Sequence, residues 1–111
     1  MKVYLTLSEV EAALSPTLTP TVLSGTEIDL SADAHITQTL TGNTTYTIGT
    51  KTPGKTVVFE ATMDGVGGYT VAFTGVDILT GTFDALANVV NIVTLRCFDS
   101  STVYANIAQV P

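Results

Sequence analysis

Short runs of alternating apolar and polar residues recur from about residue 26 to the end of the chain, and this pattern constrains the fold most. Threonine occupies 21 positions and valine 13, and both side chains are branched at Cβ, which favours strands over helices. Seven or eight such runs, separated by turn residues at intervals of about 8–12, indicate an antiparallel arrangement. The sequence therefore predicts an all-β domain over residues 26–111, an antiparallel β-sandwich or barrel of seven to eight short strands. No internal repeat of the solenoid type is visible.

Turn residues between neighbouring runs predict hairpins. Glycine, proline, asparagine and aspartate suit these positions because they adopt or stabilise the tight backbone geometry of a turn. The predicted turns are Gly42-Asn43, residues 52–55, residues 64–68 and residues 99–101.

Residues 1–25 differ from the rest and predict an extended N-terminal arm with one short helix. Ser8 and Glu11 have the spacing of a capping box, which predicts a helix start. The helix can continue only to about Leu14, because Pro16 disfavours α geometry in the residue before it. Two helical turns are marginal in water, so this helix needs a surface to lie on.

The arm is rich in apolar side chains, which favours an arm that binds a partner. A linker or floppy terminus is the alternative interpretation, but a solvated tail ordinarily carries fewer such residues. The predicted partner-binding residues are Val3, Tyr4, Leu5, Leu7, Val10, Leu14, Leu18, Val22 and Leu23.

Composition excludes several classes of protein. The chain is 45% hydrophobic and 13% charged, with a net charge of −6, so it is not intrinsically disordered and lacks the cationic surface that nucleic acid or an anionic membrane attracts. One cysteine cannot form a disulfide framework. No apolar stretch is long enough to span a membrane, and Glu9 and Glu11 interrupt the start of a signal-like run, so we expect synthesis in the cytoplasm. A mean hydropathy of +0.41 indicates apolar surface that faces other subunits.

No group of residues predicts catalysis, a cofactor or a metal ion. His35 is the single histidine and has only Asp33 nearby in sequence, whereas a metal ligand or general base needs further partners. Cys97 lies within a strand-like run, where a buried, inert thiol is expected. The glycine-rich residues 65–68 precede a strand rather than a helix, so they predict a turn and no phosphate loop.

The acidic and aromatic residues leave two alternatives open. Aspartates near turns ordinarily accept local backbone hydrogen bonds, although a divalent ion at an oligomer axis is a second interpretation. Tyrosines at strand spacing ordinarily pack in a core or an interface, although they could form a sugar-binding platform. The residues concerned are Asp64, Asp77, Asp84, Asp99, Tyr46, Tyr69 and Tyr104.

Several segments, in order, resemble a β domain that recurs in virion proteins of tailed bacteriophages. They are residues 39–48, 53–55, 67–73, 91–95 and 99–105. In that family the domain occurs on tail fibres, head fibres and capsid-decorating proteins, usually as a homotrimer without catalytic activity. The resemblance therefore implies a non-enzymatic structural protein of a virion.

The short length selects among these roles. With 111 residues, the chain has no room for a long fibre shaft beside an attachment domain. We expect a capsid decoration (cement) protein on the outer surface of the phage head, which bridges major capsid proteins as a homotrimer. The alternative is a receptor- or carbohydrate-binding module of a tail fibre or baseplate. An enzyme such as a wall-degrading hydrolase is a third hypothesis, which would need His35 or a carboxylate pair in a cleft.

Overall fold

A computed structural model describes residues 19–99 and 101–110. These residues form nine β-strands and no helix. The strands are β1 (Thr21–Val22), β2 (Glu27–Leu30), β3 (Ala34–Leu40), β4 (Thr44–Lys51), β5 (Thr56–Met63), β6 (Val71–Thr74), β7 (Ile78–Thr80), β8 (Val90–Cys97) and β9 (Val103–Gln109).

The first six strands wind into a β-solenoid of about three turns. Odd-numbered strands β1, β3 and β5 belong to a six-stranded sheet with the order β1-β3-β5-β8-β9-β7, and β2, β4 and β6 form a three-stranded sheet. Neighbours within the coil are parallel, because each strand pairs with the strand one full turn later. Ile36 in β3 lies beside Phe59 in β5, for example, and Ile28 in β2 lies beside Ile48 in β4.

The chain changes direction after the coil. Strand β8 runs antiparallel to both β5 and β9, and β7 pairs parallel with β9 at the edge of the large sheet. The predicted hairpin around residues 99–101 is confirmed by the β8–β9 pair. The large sheet therefore extends three strands beyond β5, while the small sheet ends at β6.

The predicted sandwich or barrel is wrong, although the chain is all-β. Alternation shows which side chains face inward, but it does not show which strand is the neighbour. The turns at Gly42-Asn43, residues 52–55 and residues 64–68 were expected to close hairpins, yet each leads from one sheet to the other. The coils of the solenoid also produce no visible repeat in the sequence, because their strands differ in length, from two residues in β1 to eight in β5. The predicted helix near residues 8–14 lies outside the described residues.

The core lies between the two sheets. Tyr46 of the small sheet is fully buried, with its ring edge-on to Phe59 at 4.9 Å and stacked on Phe73 at 5.5 Å between ring centroids. The Tyr46 hydroxyl donates a hydrogen bond of 2.5 Å to Gln38 Oε1. Gln38 Nε2 in turn donates to the carbonyl oxygens of Leu23 and Gly25. This network fastens the first turn of the coil to the core, since each buried polar atom finds a partner.

Candidate binding groove

The unequal lengths of the two sheets produce an apolar groove. Strands β8 and β9 extend the large sheet beyond β5 and still bury their inward side chains in the core, whereas the edge strand β7 pairs only with β9 among the described strands and leaves Leu79 53% exposed. The space left between β6 and the segment 81–85 has a volume of about 390 Å³, within the usual range for binding sites. Its apolar lining includes Val71, Phe73, Leu79, Phe83, Ala85 and Ile107.

Strand β6 forms one wall of the groove and presents an unpaired edge. It pairs on one side with β4, where Thr44 N–H donates to the Thr70 carbonyl oxygen at 3.0 Å. Backbone groups alternate in direction along a strand, so the N–H and C=O groups of Val71 and Phe73 point to the groove. Within the described part of the chain, these groups have no backbone partner on that side. Such an edge can receive another strand.

The opposite wall, residues 81–85, is held in place by two polar side chains, one buried and one exposed. Asn91 is fully buried, and its amide both accepts from Asp84 N–H at 2.8 Å and donates to the Asp84 carbonyl oxygen at 2.9 Å. Gln109 Nε2 donates to the Thr82 carbonyl oxygen at 2.7 Å. Gly81 has a positive φ of 82°, and a Cβ there would collide with the Ile107 carbonyl oxygen. This wall is therefore set without help from a ligand.

The two walls meet at one end of the groove, where the chain carries a negative charge. Gly68 N–H donates to the Ala85 carbonyl oxygen at 2.6 Å and closes this end. Next to it, the Tyr69 hydroxyl bonds Asp64 Oδ2 at 2.9 Å. The backbone N–H groups of Gly67 and Val66 donate to the Asp64 carboxylate and lower its pKa, and the bond to Asp64 raises the pKa of Tyr69. A carboxylate thus marks the closed end of an otherwise uncharged groove.

Most of the predicted partner-binding residues lie outside the described residues. These are Val3, Tyr4, Leu5, Leu7, Val10, Leu14 and Leu18. The other two, Val22 and Leu23, behave differently. Val22 is 76% exposed on the edge strand β1, whereas the Leu23 side chain packs against the core and its N–H donates to the Thr37 carbonyl oxygen at 2.8 Å. The arm is thus joined to the body through β1 and Leu23.

The three candidate tyrosines are not brought together. Tyr46 lies in the core, Tyr69 lines the groove, and Tyr104 lies 6.2 Å from Phe98 between ring centroids on the outer side of β9. Because the rings occupy three separate places, they form no common sugar-binding platform.

Five of the remaining candidates of the sequence analysis, His35, Asp64, Asp77, Asp84 and Cys97, lie in local structural contacts. His35 Nε2 lies 3.3 Å from Glu60 Oε1 on the neighbouring strand, and Cys97 is buried in β8, as expected. Asp64 and Asp84 accept hydrogen bonds from backbone N–H groups two residues later, as expected of turn aspartates. Asp77 instead accepts from Val103 N–H across the sheet. Across residues 19–99 and 101–110, no group of three or more potential ligands is placed to hold a metal ion, and no helix is long and apolar enough to cross a membrane.

Sequence reasoning missed the groove itself. No binding surface was predicted for residues 75–88, although Leu79, Phe83 and Leu86 are large apolar residues within this segment. Apolar side chains in a segment with weak strand character are the signal that could have revealed a binding surface. Comparisons with protein-family models, with curated proteins and with solved structures found no match to this chain. Because no relative describes this site, it is defined by its geometry alone. It is a preformed groove whose lining residues are uncharged, and it lies beside the unpaired edge of β6.

Proposed function

We propose that the chain is a non-enzymatic structural protein, a capsid decoration protein that assembles as a homotrimer and binds the major capsid protein on the outer surface of a phage head. The resemblance of its strand and turn segments to a β domain of phage virions supplies the virion context. The structure supplies surfaces suited to assembly, and these support the proposal independently of the resemblance.

The observation that carries the proposal is the amount of apolar surface left open by the described residues. Val22, Val66 and Leu86 are 76%, 78% and 70% exposed. The last two lie on loops that touch, since Gly67 and Ala87 are in close approach. Burying such a side chain in an interface contributes about 1.5–3 kcal/mol before ordering costs. A chain with few charges and several such side chains is suited to lie among other subunits.

In this proposal, the arm is the part of the chain that binds the capsid. Its root is fixed, because β1 pairs with β3 and Leu23 packs on the core. The apolar residues that precede β1 are then tethered to the body of each copy through this root. In a trimer, three arms bind neighbouring capsomers together, and tethering makes the combined hold much tighter than that of one arm.

The test is binding of the chain to capsids that lack it, measured by co-sedimentation. We expect the double variant Leu14→Asp/Leu18→Asp to stay folded and to lose capsid binding, since both changes place charge on the apolar arm. The matched control, Thr17→Asp/Thr19→Asp, adds the same charge at polar positions of the same segment and should keep binding. Equal binding by both variants would show that the arm is not the capsid contact.

A receptor- or carbohydrate-binding module of a tail fibre or baseplate is the second candidate, and one aromatic pair favours it. Phe98 is 42% exposed and lies beside Tyr104, whose hydroxyl is hydrogen-bonded to Thr80 Oγ1 at 3.0 Å. Exposed rings next to polar groups suit a sugar face. This function predicts glycan binding that Phe98→Ala and Tyr104→Ala abolish, whereas a decoration protein shows no glycan binding.

A further inference from the structure

We propose that the groove binds residues 2–7 of a second copy of this chain, which enter beside β6 as a fourth parallel strand of the small sheet. The inference deepens the proposed function and rests on its statement that copies of the chain assemble. It names the contact between copies and leaves Val10, Leu14, Leu18 and Val22 of the arm to the capsid.

The edge of β6 provides the backbone partners. The N–H and C=O groups of Val71 and Phe73 point to the groove and have no backbone partner there among the described residues. An extended segment that lies alongside pairs with these groups, which is the recurring mode of strand addition to an open sheet edge. The neighbouring strands of this sheet are all parallel, so a parallel fourth strand continues the existing pattern.

The shape of the groove selects a single short segment. Gly68 and Ala85 join the walls at one end, and β6 is only four residues long. The fixed segment 81–85 stands opposite, so the edge of an intact sheet cannot enter. An extended stretch of about five residues fits these limits, since each residue of a strand advances about 3.3 Å.

Residues 2–7 have the pattern that this groove requires. Val3, Leu5 and Leu7 alternate with Tyr4 and Thr6, so that an extended segment turns three aliphatic side chains to one side. That side matches the apolar lining of the groove. In parallel orientation, Lys2 comes to the closed end, where the Asp64 carboxylate lies next to Tyr69. The charge of the segment and the charge at the groove are therefore complementary.

The length of the connection allows exchange between copies. Residues 8–18 separate the segment from the described body, and eleven extended residues span up to about 36 Å. Strand β1 lies at the opposite edge of the large sheet from β7, so the described part of the chain begins at the edge of the body away from its own groove. In a ring of three copies, each segment fills the groove of the next copy and no segment or groove is left over.

The experiment uses two full-length variants and their mixture, with mass measured by light scattering. Leu5→Asp/Leu7→Asp disables the segment, and Leu79→Asp places a charge in the groove, where Leu79 is 53% exposed. Each variant alone should be monomeric, and the mixture should form one-to-one heterodimers, because one intact segment meets one intact groove. The matched controls are Thr6→Asp for the segment and Val110→Asp for the body, since Val110 is 47% exposed and does not line the groove. Both controls should keep the oligomeric state of the unmodified chain.

A peptide of residues 1–8 provides a second readout. Added to the Leu5→Asp/Leu7→Asp chain, it should slow hydrogen exchange at the Val71 and Phe73 amides and should bind at least tenfold more weakly when Leu79→Asp is also present. An unchanged oligomer in the Leu5→Asp/Leu7→Asp variant would overturn the inference. A mixture that stays monomeric would also overturn it, because the segment would then occupy its own groove or none. Capsid co-sedimentation of the same variants keeps the two proposals apart: heterodimers that form without any capsid binding would contradict the capsid function alone.

Discussion

The two ends of the molecule show how the same alternating strands can give a closed core or an open groove. In the coil of β1 to β6, the two sheets cover each other, and Tyr46 and Phe59 are completely buried. Strands β8 and β9 share this core, but at the far end the edge strand β7 pairs only with β9 among the described strands, and Leu79 on β7 stays 53% exposed. Burial is therefore decided by the presence of a second layer rather than by the apolar pattern of a strand.

The largest expected effect is a difference in the free energy of unfolding between a variant of the closed end and a variant of the open end. Phe59→Ala removes a ring between the two sheets and should lower the free energy of unfolding by about 3–5 kcal/mol. Leu79→Ala removes a side chain that is half exposed, so we expect a loss of less than about 1 kcal/mol. Chemical denaturation of both variants measures the difference. Equal losses would mean that the open end is as tightly packed as the coil.

Alkaline pH provides the next test, and it acts on the closed end. Burial raises the pKa of Tyr46 to about 12, whereas a phenol in the unfolded chain ionises near 10. Because the folded pKa is the higher one, this contribution to stability is complete below pH 10 and is lost as the pH rises towards 12. The loss amounts to about 2–3 kcal/mol. Denaturation curves from pH 9 to 12 should show it, and a Tyr46→Phe chain should lack this part of the decline.

Removing the amide that fixes the far wall of the groove should have a smaller effect. Asn91→Ala leaves the backbone N–H and C=O of Asp84 without their present partner, which costs about 1–3 kcal/mol. Hydrogen exchange should become faster mainly at residues 82–85. Asn106→Ala, on the outer side of β9, is the matched control and should leave this segment protected. Unchanged exchange in the Asn91→Ala chain would show that the wall does not depend on this amide.

The smallest expected effect is a change of amide protection at acid pH, and it is tested on two turn aspartates, one at each end of the molecule. Backbone N–H groups of Gly67 and Val66 lower the pKa of Asp64, and the hydrogen bonds of Ser31 lower that of Asp29. A lowered folded pKa means that the stabilisation is present above the ordinary value of 3.8 and is lost as the pH falls through the folded pKa. The protection of the Val66 amide, relative to an unstructured peptide at the same pH, should therefore fall only below about pH 4. Asp64→Asn should remove that dependence, and Asp29→Asn should not.

Local patterns predicted the inner face of single strands but not the partners of those strands. In residues 56–63, for example, the alternation of the sequence matches the structure, where Val57, Phe59, Ala61 and Met63 share one buried side. The hairpin of β8 and β9 was also predicted, because adjacent strands joined by a short turn pair directly. Parallel pairing across a full coil depends on residues about twenty positions apart, and the short turn at Gly42-Asn43 suits a change of sheet as well as a hairpin.

The groove could not be predicted for a related reason. Its walls come from β6 and residues 81–85, and its existence depends on a difference of three strands between the sheets. No local property of Val71 or Phe73 shows that their outer backbone groups lack a strand. The arm residues were identified from their apolar character alone, and seven of the nine lie outside the described residues.

The position of β7 has a consequence for synthesis on the ribosome. Its single neighbour among the described strands is β9, which is translated later and separated from β7 by all of β8. Ile78 and Leu79 therefore have no strand partner until β9 has been synthesised, whereas the coil of β1 to β6, which precedes them in the sequence, can already fold. Docking of β9 completes the large sheet. A chain that lacks β9 should therefore remain an aggregation-prone intermediate with an unpaired β7, rather than fold as a slightly shorter protein.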